Sequence, residues 1–454
     1  MSTFYVIMES QNHYTDLKRA PSPQIRLLKI EAAENNENII KVNLHTKSMK
    51  EAPGFNALSY AWGDKDQTTS ILLNGLGFEV TNNLHAALKV LRSKTNNSFL
   101  WVDAICVNQK DDYERSHQVS LMTRIYSKAR IVLCWLGPDV DDHSILPFLR
   151  GCVHHADTLS SPQAFASKSD AIRDILSRPY WSRLWVVQEN VLAKERLFLC
   201  ESNEISSEDL ARSLRLLKDF VQLMASEFHG REVLQAASDI RDFHGTRMVD
   251  GTLMPSRQPQ SHTIAEQFTL LNEMMIETSR FNATDPCDYL YGVLGLFPDT
   301  TVIITPDYTK SPAEVFKDFA LLTLKKNFGL IAQSGTGHKN CTRMRRSCKE
   351  VPSWVPNHSG PFVEIHNGVS LLTSVRIAKF EAGTFFPHGW DLSQDNMVLR
   401  VKGVRVGRVI SRSSPDTLVA KRLVSDWKPN STSSQRQRRG HLRVSISAFD
   451  RRSN

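Results

Sequence analysis

Short apolar runs, each closed by a polar or glycine-bearing turn, recur through the first 200 residues, and their spacing predicts alternating strands and helices. Residues 25–30 and 39–44 are β-prone runs separated by an Asn- and Glu-rich turn at 34–38. Residues 57–62 form the next strand, closed by Gly63 and Asp64. Residues 71–80 read as a hairpin about Asn74-Gly75. Leu84, Leu88 and Leu91 share one face of a helix that Thr81 or Asn82 caps. The unbroken run 98–103 predicts a buried parallel strand ending in Asp103. Asp111 and Glu114 stand at capping-box spacing before a helix that turns Val119, Met122, Ile125, Tyr126 and Ala129 inward. Residues 130–136 form a further strand and 139–177 a partly helical insertion. Pro179 then opens a helix carrying Trp181, Trp185 and Glu189, and 196–200 is the last strand of the series.

Strand and helix in alternation imply right-handed crossovers. The predicted class is α/β, with a doubly wound, mainly parallel sheet and insertions, followed by a helical region and a small β-rich part. At 454 residues the chain exceeds one ordinary core. We expect a loose N-terminus at 1–20, a first domain at 21–205 with its core at 54–200, and a mainly helical extension at 206–330. A β-rich region at 331–410 and a basic, disordered tail at 411–454 complete the expected layout. In the extension, 285–296 and 306–308 read as packing segments that bury Tyr289, Leu290, Leu294 and Leu296.

The net charge of +8 changes this picture little. Residues 401–454 hold thirteen Lys or Arg against three Asp, a net of +10, so the rest of the chain is near −2. A basic tail on a neutral body argues against a nucleic-acid groove. Seven scattered cysteines without a CxxC pair suit a reducing, cytoplasmic setting, and no apolar run approaches membrane-spanning length. His117, His154 and His155 lack ligand-spaced partners, so no metal site is expected. Gly75-Leu76-Gly77 is not a dinucleotide fingerprint, because Val80 occupies the third glycine position.

Glu189 is the sharpest chemical feature. On a continuous helix, Trp181, Trp185 and Glu189 form one stripe, and the neighbours of Glu189 at three and four positions are Trp185, Val186, Leu192 and Ala193. Such a carboxylate must find a cation elsewhere, become neutral, or face a ligand. Ser59, Tyr60 and Asp64 sit where the first parallel strand meets its loop, and Asp103 ends the neighbouring strand. All four stand at the ligand edge of such a sheet, and each can equally pack the rim or cap a turn. Asn108 and Gln109 carry the same two readings.

Three stretches in this order, Asn56 to Asp64, Leu100 to Gln109 and Arg178 to Glu189, closely resemble the heterokaryon incompatibility (HET) domain of filamentous fungi, over residues 54–200. That resemblance implies a cytosolic effector of non-self recognition and programmed cell death, with partners among other proteins of the incompatibility pathway and with itself. HET domains in turn resemble TIR domains, whose flavodoxin-like sheet carries a Trp-Cys-x-x-Glu motif. Here Trp185-Val186-Val187-Gln188-Glu189 matches it, with Val186 in place of the Cys. The TIR likeness implies no resident cofactor but NAD as substrate, with Glu189 catalytic in its hydrolysis to nicotinamide and ADP-ribose. Ser59, Tyr60, Asp64, Asp103, Trp181 and Trp185 would then line the NAD site. The alternative is a non-enzymatic interaction module in which Glu189 anchors its helix.

Overall fold

The structure is a computed structural model. It describes residues 13–17, 22–32, 39–94, 98–139, 145–159, 161–228, 231–253, 263–326 and 355–356, and the strand pieces 390–392, 399–402 and 441–442. Most of the expected β-rich region and basic tail, and the turn at 34–38, lie outside the described residues.

Nine strands form one sheet: β1 (Gln24–Ile30), β2 (Lys41–Ser48), β3 (Phe55–Tyr60), β4 (Thr68–Leu73), β5 (Leu76–Thr81), β6 (Phe99–Trp101), β7 (Val132–Trp135), β8 (Arg196–Cys200) and β9 (Asn203–Ser206). Their order is β5-β4-β2-β1-β6-β3-β7-β8-β9. The sheet is mixed, which corrects the expectation of a mainly parallel one. Parallel pairing runs through β6-β3-β7-β8 and recurs at β2-β4. The pairs β1-β2, β1-β6, β4-β5 and β8-β9 are antiparallel. The four parallel strands are the buried apolar runs, as strands covered on both faces must be. Of the antiparallel pairs, β4-β5 and β8-β9 join strands two residues apart in sequence, which needs only a tight turn, whereas β1-β6 pairs strands far apart in sequence. Asn74 (φ 52°) and Gly75 (φ 82°) supply that turn between β4 and β5, because two left-handed residues match the twist of the strands they join.

Within the parallel run, β3 lies between β6 and β7. The chain therefore leaves β3 toward one side and later returns to its other side. Such a reversal of strand order opens a crevice beyond the carboxyl ends of the strands. The residues following β3 and β6 stand there.

Helix α1 (Asn82–Lys94) buries Leu84, Ala87, Leu88 and Leu91. Helix α2 (Asp112–Lys128) is capped by Asp111, whose side chain accepts from the amides of Tyr113 and Glu114. Only half of the predicted capping box forms, because the Glu114 carboxylate turns to Arg26 instead, at 2.6 and 2.9 Å. The insertion holds helices at Ile145–His154, Pro162–Ala166 and Ser169–Ser177.

The helix expected from Pro179 is two pieces. Pro179–Ser182 is a 3-10 turn, Arg183 is extended (φ −78°, ψ 127°), and α3 runs from Trp185 to Leu192. The break has a tertiary cause. Arg183 forms a parallel bridge with Asn282; the Leu184 amide donates to Asn282 O, and the Asn282 amide to Ser182 O. Trp181 therefore leaves the stripe of Trp185 and Glu189.

Beyond the sheet come helices at Ser207–Leu223, Arg231–Asp242, Ile264–Thr278 and Pro312–Lys326, and a short helix α4 (Asp288–Leu294) that packs against Ile264–Thr278. α4 packs against α3, burying Tyr289, Leu290 and Leu294. One cluster of buried apolar side chains continues from the sheet into this region. Among the described residues, no helix is long and apolar enough to cross a membrane.

Candidate functional site

Arg183 organises the crevice. Extended backbone at this position sends its guanidinium toward the ends of β3 and β6. There Nη1 donates to Tyr60 O (2.9 Å) and Glu189 Oε1 (3.0 Å), and Nη2 to Asp103 Oδ2 (3.0 Å). The guanidinium also lies 5.8 Å from the Trp62 ring centroid and 5.9 Å from that of Tyr60. Burial alone would lower its pKa, but the two carboxylates outweigh that and hold it charged. Asp103 also accepts from Trp62 Nε1 (2.9 Å) and the Ala104 amide (2.8 Å). Gly63, at φ 80°, lets the chain turn sharply after Trp62.

Glu189 is 0% exposed. Burial pushes its carboxyl up to about 7, and Arg183 opposes the rise. Its second oxygen, Oε2, has no hydrogen-bond partner among the described residues. Of the three alternatives open to Glu189 in the sequence, the structure shows a cation from outside its helix. Glu189 stands behind Arg183, and it is absent from the lining of the cavity in front. The counter-ion that helical spacing did not supply comes from Arg183, two residues before the helix begins and six positions back from Glu189.

That cavity, of about 380 Å³, is the crevice predicted by the strand order. The sheet side contributes Trp62, Lys65, Trp101, Asp103, Arg115, Gln118, Arg183 and Trp185; the opposite wall includes Asn282, Asp285, Asp288 and Tyr308. Arg115 joins the two, pairing with Asp285 at 3.0 Å and lying 3.7 Å above the Tyr308 ring centroid. The Tyr308 hydroxyl donates to Asp288 Oδ1 at 2.6 Å. Burial pushes the Asp288 carboxyl up to about 6, against that hydrogen bond.

The other expected site residues divide. Asp103 and Trp185 line the cavity. Tyr60 is 1% exposed and reaches the site through its carbonyl; burial first, and then Asp103, raise its hydroxyl pKa well above the ordinary value. Ser59 is buried beneath, 3.1 Å from the Tyr180 hydroxyl, which accepts from Asn190 Nδ2 at 2.7 Å. Asp64 is exposed and receives the Asp66 amide, the turn-capping role. Trp181 is core: its indole stacks on Phe198 at 5.7 Å and donates to Ile175 O at 2.7 Å. Gln109 lines the cavity and donates to Asp103 O, whereas Asn108 caps the Lys110 amide. No cluster of three potential metal ligands occurs among the described residues.

Sequence reasoning missed Arg183, Arg115 and Gln118, and gave Asp285, Asp288 and Tyr308 only a packing role. A usable signal existed for Arg183. It is the nearest basic residue on the N-terminal side of Glu189, beside the only slightly nearer Lys194 on the other side.

Residues 55–189 match the family model described as heterokaryon incompatibility protein (HET). The chain is also similar to heterokaryon incompatibility protein 6, OR allele, of Neurospora crassa. The two are 27% identical over 409 residues, covering 75% of this chain and 58% of the relative. The chain thus spans little more than half the length of that relative. No solved structure matches. The matched segment begins at β3 and ends at Glu189, so it contains the parallel strands β3, β6 and β7, Asp103, Arg183 and the first part of α3: the chain carries a heterokaryon incompatibility (HET) domain.

Proposed function

We propose that this chain acts in heterokaryon incompatibility as a protein-interaction module of a death-signalling response, with Glu189 as an internal anchor. The similarity to heterokaryon incompatibility protein 6 supports the biological role. One observation carries the choice of mechanism. Glu189 has no exposed surface, and the Arg183 guanidinium that it binds stands on the cavity wall. A catalytic carboxylate must come within hydrogen-bond reach of the group it acts on. Here Glu189 instead fixes Arg183, and Arg183 fixes Asp103 and the Tyr60 carbonyl at the crevice.

A second reading, hydrolysis of NAD through Glu189, draws on a different observation. A carboxyl raised to about 7 is suited to proton transfer at neutral pH. The two readings diverge in cells. In a recipient strain that responds to the parent chain, Glu189→Gln preserves shape and removes charge. Killing equal to the parent at equal soluble protein supports the interaction module. Loss of killing with the fold intact supports chemistry.

A further inference from the structure

A second cavity, of about 530 Å³, opens beside the C-terminal end of α2 and shares no lining residue with the crevice. Its walls include Ser22 and Pro23 just before β1, Lys50 just after β2, and Arg124, Ser127 and Lys128 of α2. Three of these side chains are cations, and among the described lining residues none is a carboxylate. The crevice, by contrast, sets Asp103, Asp285 and Asp288 against Lys65, Arg115 and Arg183. Glu51, next to Lys50, is exposed and absent from the lining.

Local structure gathers the three cations. Arg124 and Lys128 stand four positions apart on α2, so they share one face, with Ser127 beside them. Lys128 Nζ donates to Met49 O at 2.6 Å and to Lys50 O at 3.3 Å, which pins the turn after β2 to the helix end. An ammonium has three N–H groups, so one remains for a ligand. Lys50 and Arg124 are exposed, and neither side-chain charge is paired with another described residue. Like charges gathered without a counter-ion repel one another, and a bound anion relieves that cost. The C-terminal end of the helix carries partial negative charge, which favours the cations but not an anion. The attraction must therefore come from the side chains.

Ser127 Oγ makes a long bond of 3.4 Å to Arg124 O, which a stronger acceptor can replace. The volume is within the range of small-molecule sites and has room for more than one phosphate group. A phosphate monoester concentrates up to two negative charges and three acceptor oxygens on one group. We propose that this cavity binds a small compound bearing at least two phosphate monoesters, held by Lys50, Arg124 and Lys128. A soluble polyphosphorylated ring and a phosphorylated lipid headgroup share that chemistry. The site depends neither on the incompatibility role nor on Glu189 and the crevice.

The test uses the full chain. Inositol hexakisphosphate is the soluble probe, titrated by calorimetry. Phosphatidylcholine vesicles with and without phosphatidylinositol bisphosphate are the lipid probe, read by co-sedimentation. We expect saturable one-to-one binding. Binding of inositol hexakisphosphate without vesicle recruitment assigns a soluble ligand, and recruitment that requires the bisphosphate lipid assigns the headgroup. Because residues 401–454 are also basic, variants decide where the anion sits. Lys50→Gln and Arg124→Gln should each weaken binding about threefold and together about tenfold. Both side chains are exposed, so thermal unfolding without ligand should match the parent, and either single variant suffices for the comparison. No saturable binding of either probe overturns the proposal. Undiminished binding by the variants also overturns it and places the anion on the basic segment. A short single-stranded DNA that binds as tightly as inositol hexakisphosphate, with the same loss in the variants, would make this a nucleic-acid site instead.

Discussion

Arg183 meets Glu189 at 3.0 Å, with 15% of the Arg183 side chain exposed and none of Glu189. A buried carboxylate with one cation close by is costly to strip of that cation. Arg183→Met should destabilise the chain by about 3–5 kcal/mol, measured by urea unfolding. Adding Glu189→Gln to that variant should recover part of the loss, because it removes the stranded charge. A double variant whose loss equals the sum of the single losses would show that the two side chains are not coupled.

The same pair sets a pH dependence. The folded-state pKa of Glu189 lies above its ordinary value of 4.5, at about 7. Between those values the native state holds more proton than the unfolded chain. The stabilisation is therefore complete below about 4.5 and is lost as pH rises through 7. Its size is on the order of 3 kcal/mol. Asp288, pushed up to about 6, contributes in the same direction over a lower window. Unfolding at pH 5 and pH 8 should show a larger drop for the parent than for Glu189→Gln. Equal drops would place the titration elsewhere.

Arg26 forms a second buried junction. It meets both oxygens of Glu114 and donates to Cys106 O (3.0 Å) and Thr15 O (2.7 Å). It thereby ties β1, α2, the short helix Asp103–Cys106 after β6 and the segment 13–17 together. Arg26→Met should cost about 3–5 kcal/mol by leaving Glu114 unpaired. Arg26→Lys should rescue little of it, because an ammonium cannot reproduce the planar fork. Full rescue by lysine would argue for simple charge pairing.

Gly295 is where α4 ends against the HET domain. A Cβ there would collide with Thr123 Oγ1 and stand 2.8 Å from Gln188 Nε2. Gly295→Ala should therefore push α4 away from α2 and α3, at a cost of about 1–3 kcal/mol. Limited proteolysis should then cut the extension sooner than in the parent. An unchanged cleavage rate would mean that the side chains of Thr123 and Gln188 move aside freely.

Local signals in the sequence were sufficient where the cause was local. Asn74-Gly75 gave the hairpin, Asp111 the helix cap, and the unbroken apolar runs the parallel strands. The placement of Asp103 at the crevice followed from its position after such a strand. What escaped was set by distant partners. The break at Arg183 depends on Asn282, almost a hundred residues away, and a helix assumed continuous hid the one cation that reaches Glu189. The antiparallel pairing of β1 with β6 has the same origin, since strand neighbours chosen through tertiary contact leave no mark on either strand. Asp285 and Tyr308 looked like packing residues because their roles appear only once Arg115 stands between them.

Nicotinamide release is the measurement that bears most directly on Glu189 as an anchor. Concentrated parent protein and Glu189→Gln, both folded by circular dichroism, would be incubated with NAD and analysed by chromatography. The account predicts no nicotinamide above the buffer control from either protein. Release by the parent that disappears in Glu189→Gln would contradict it.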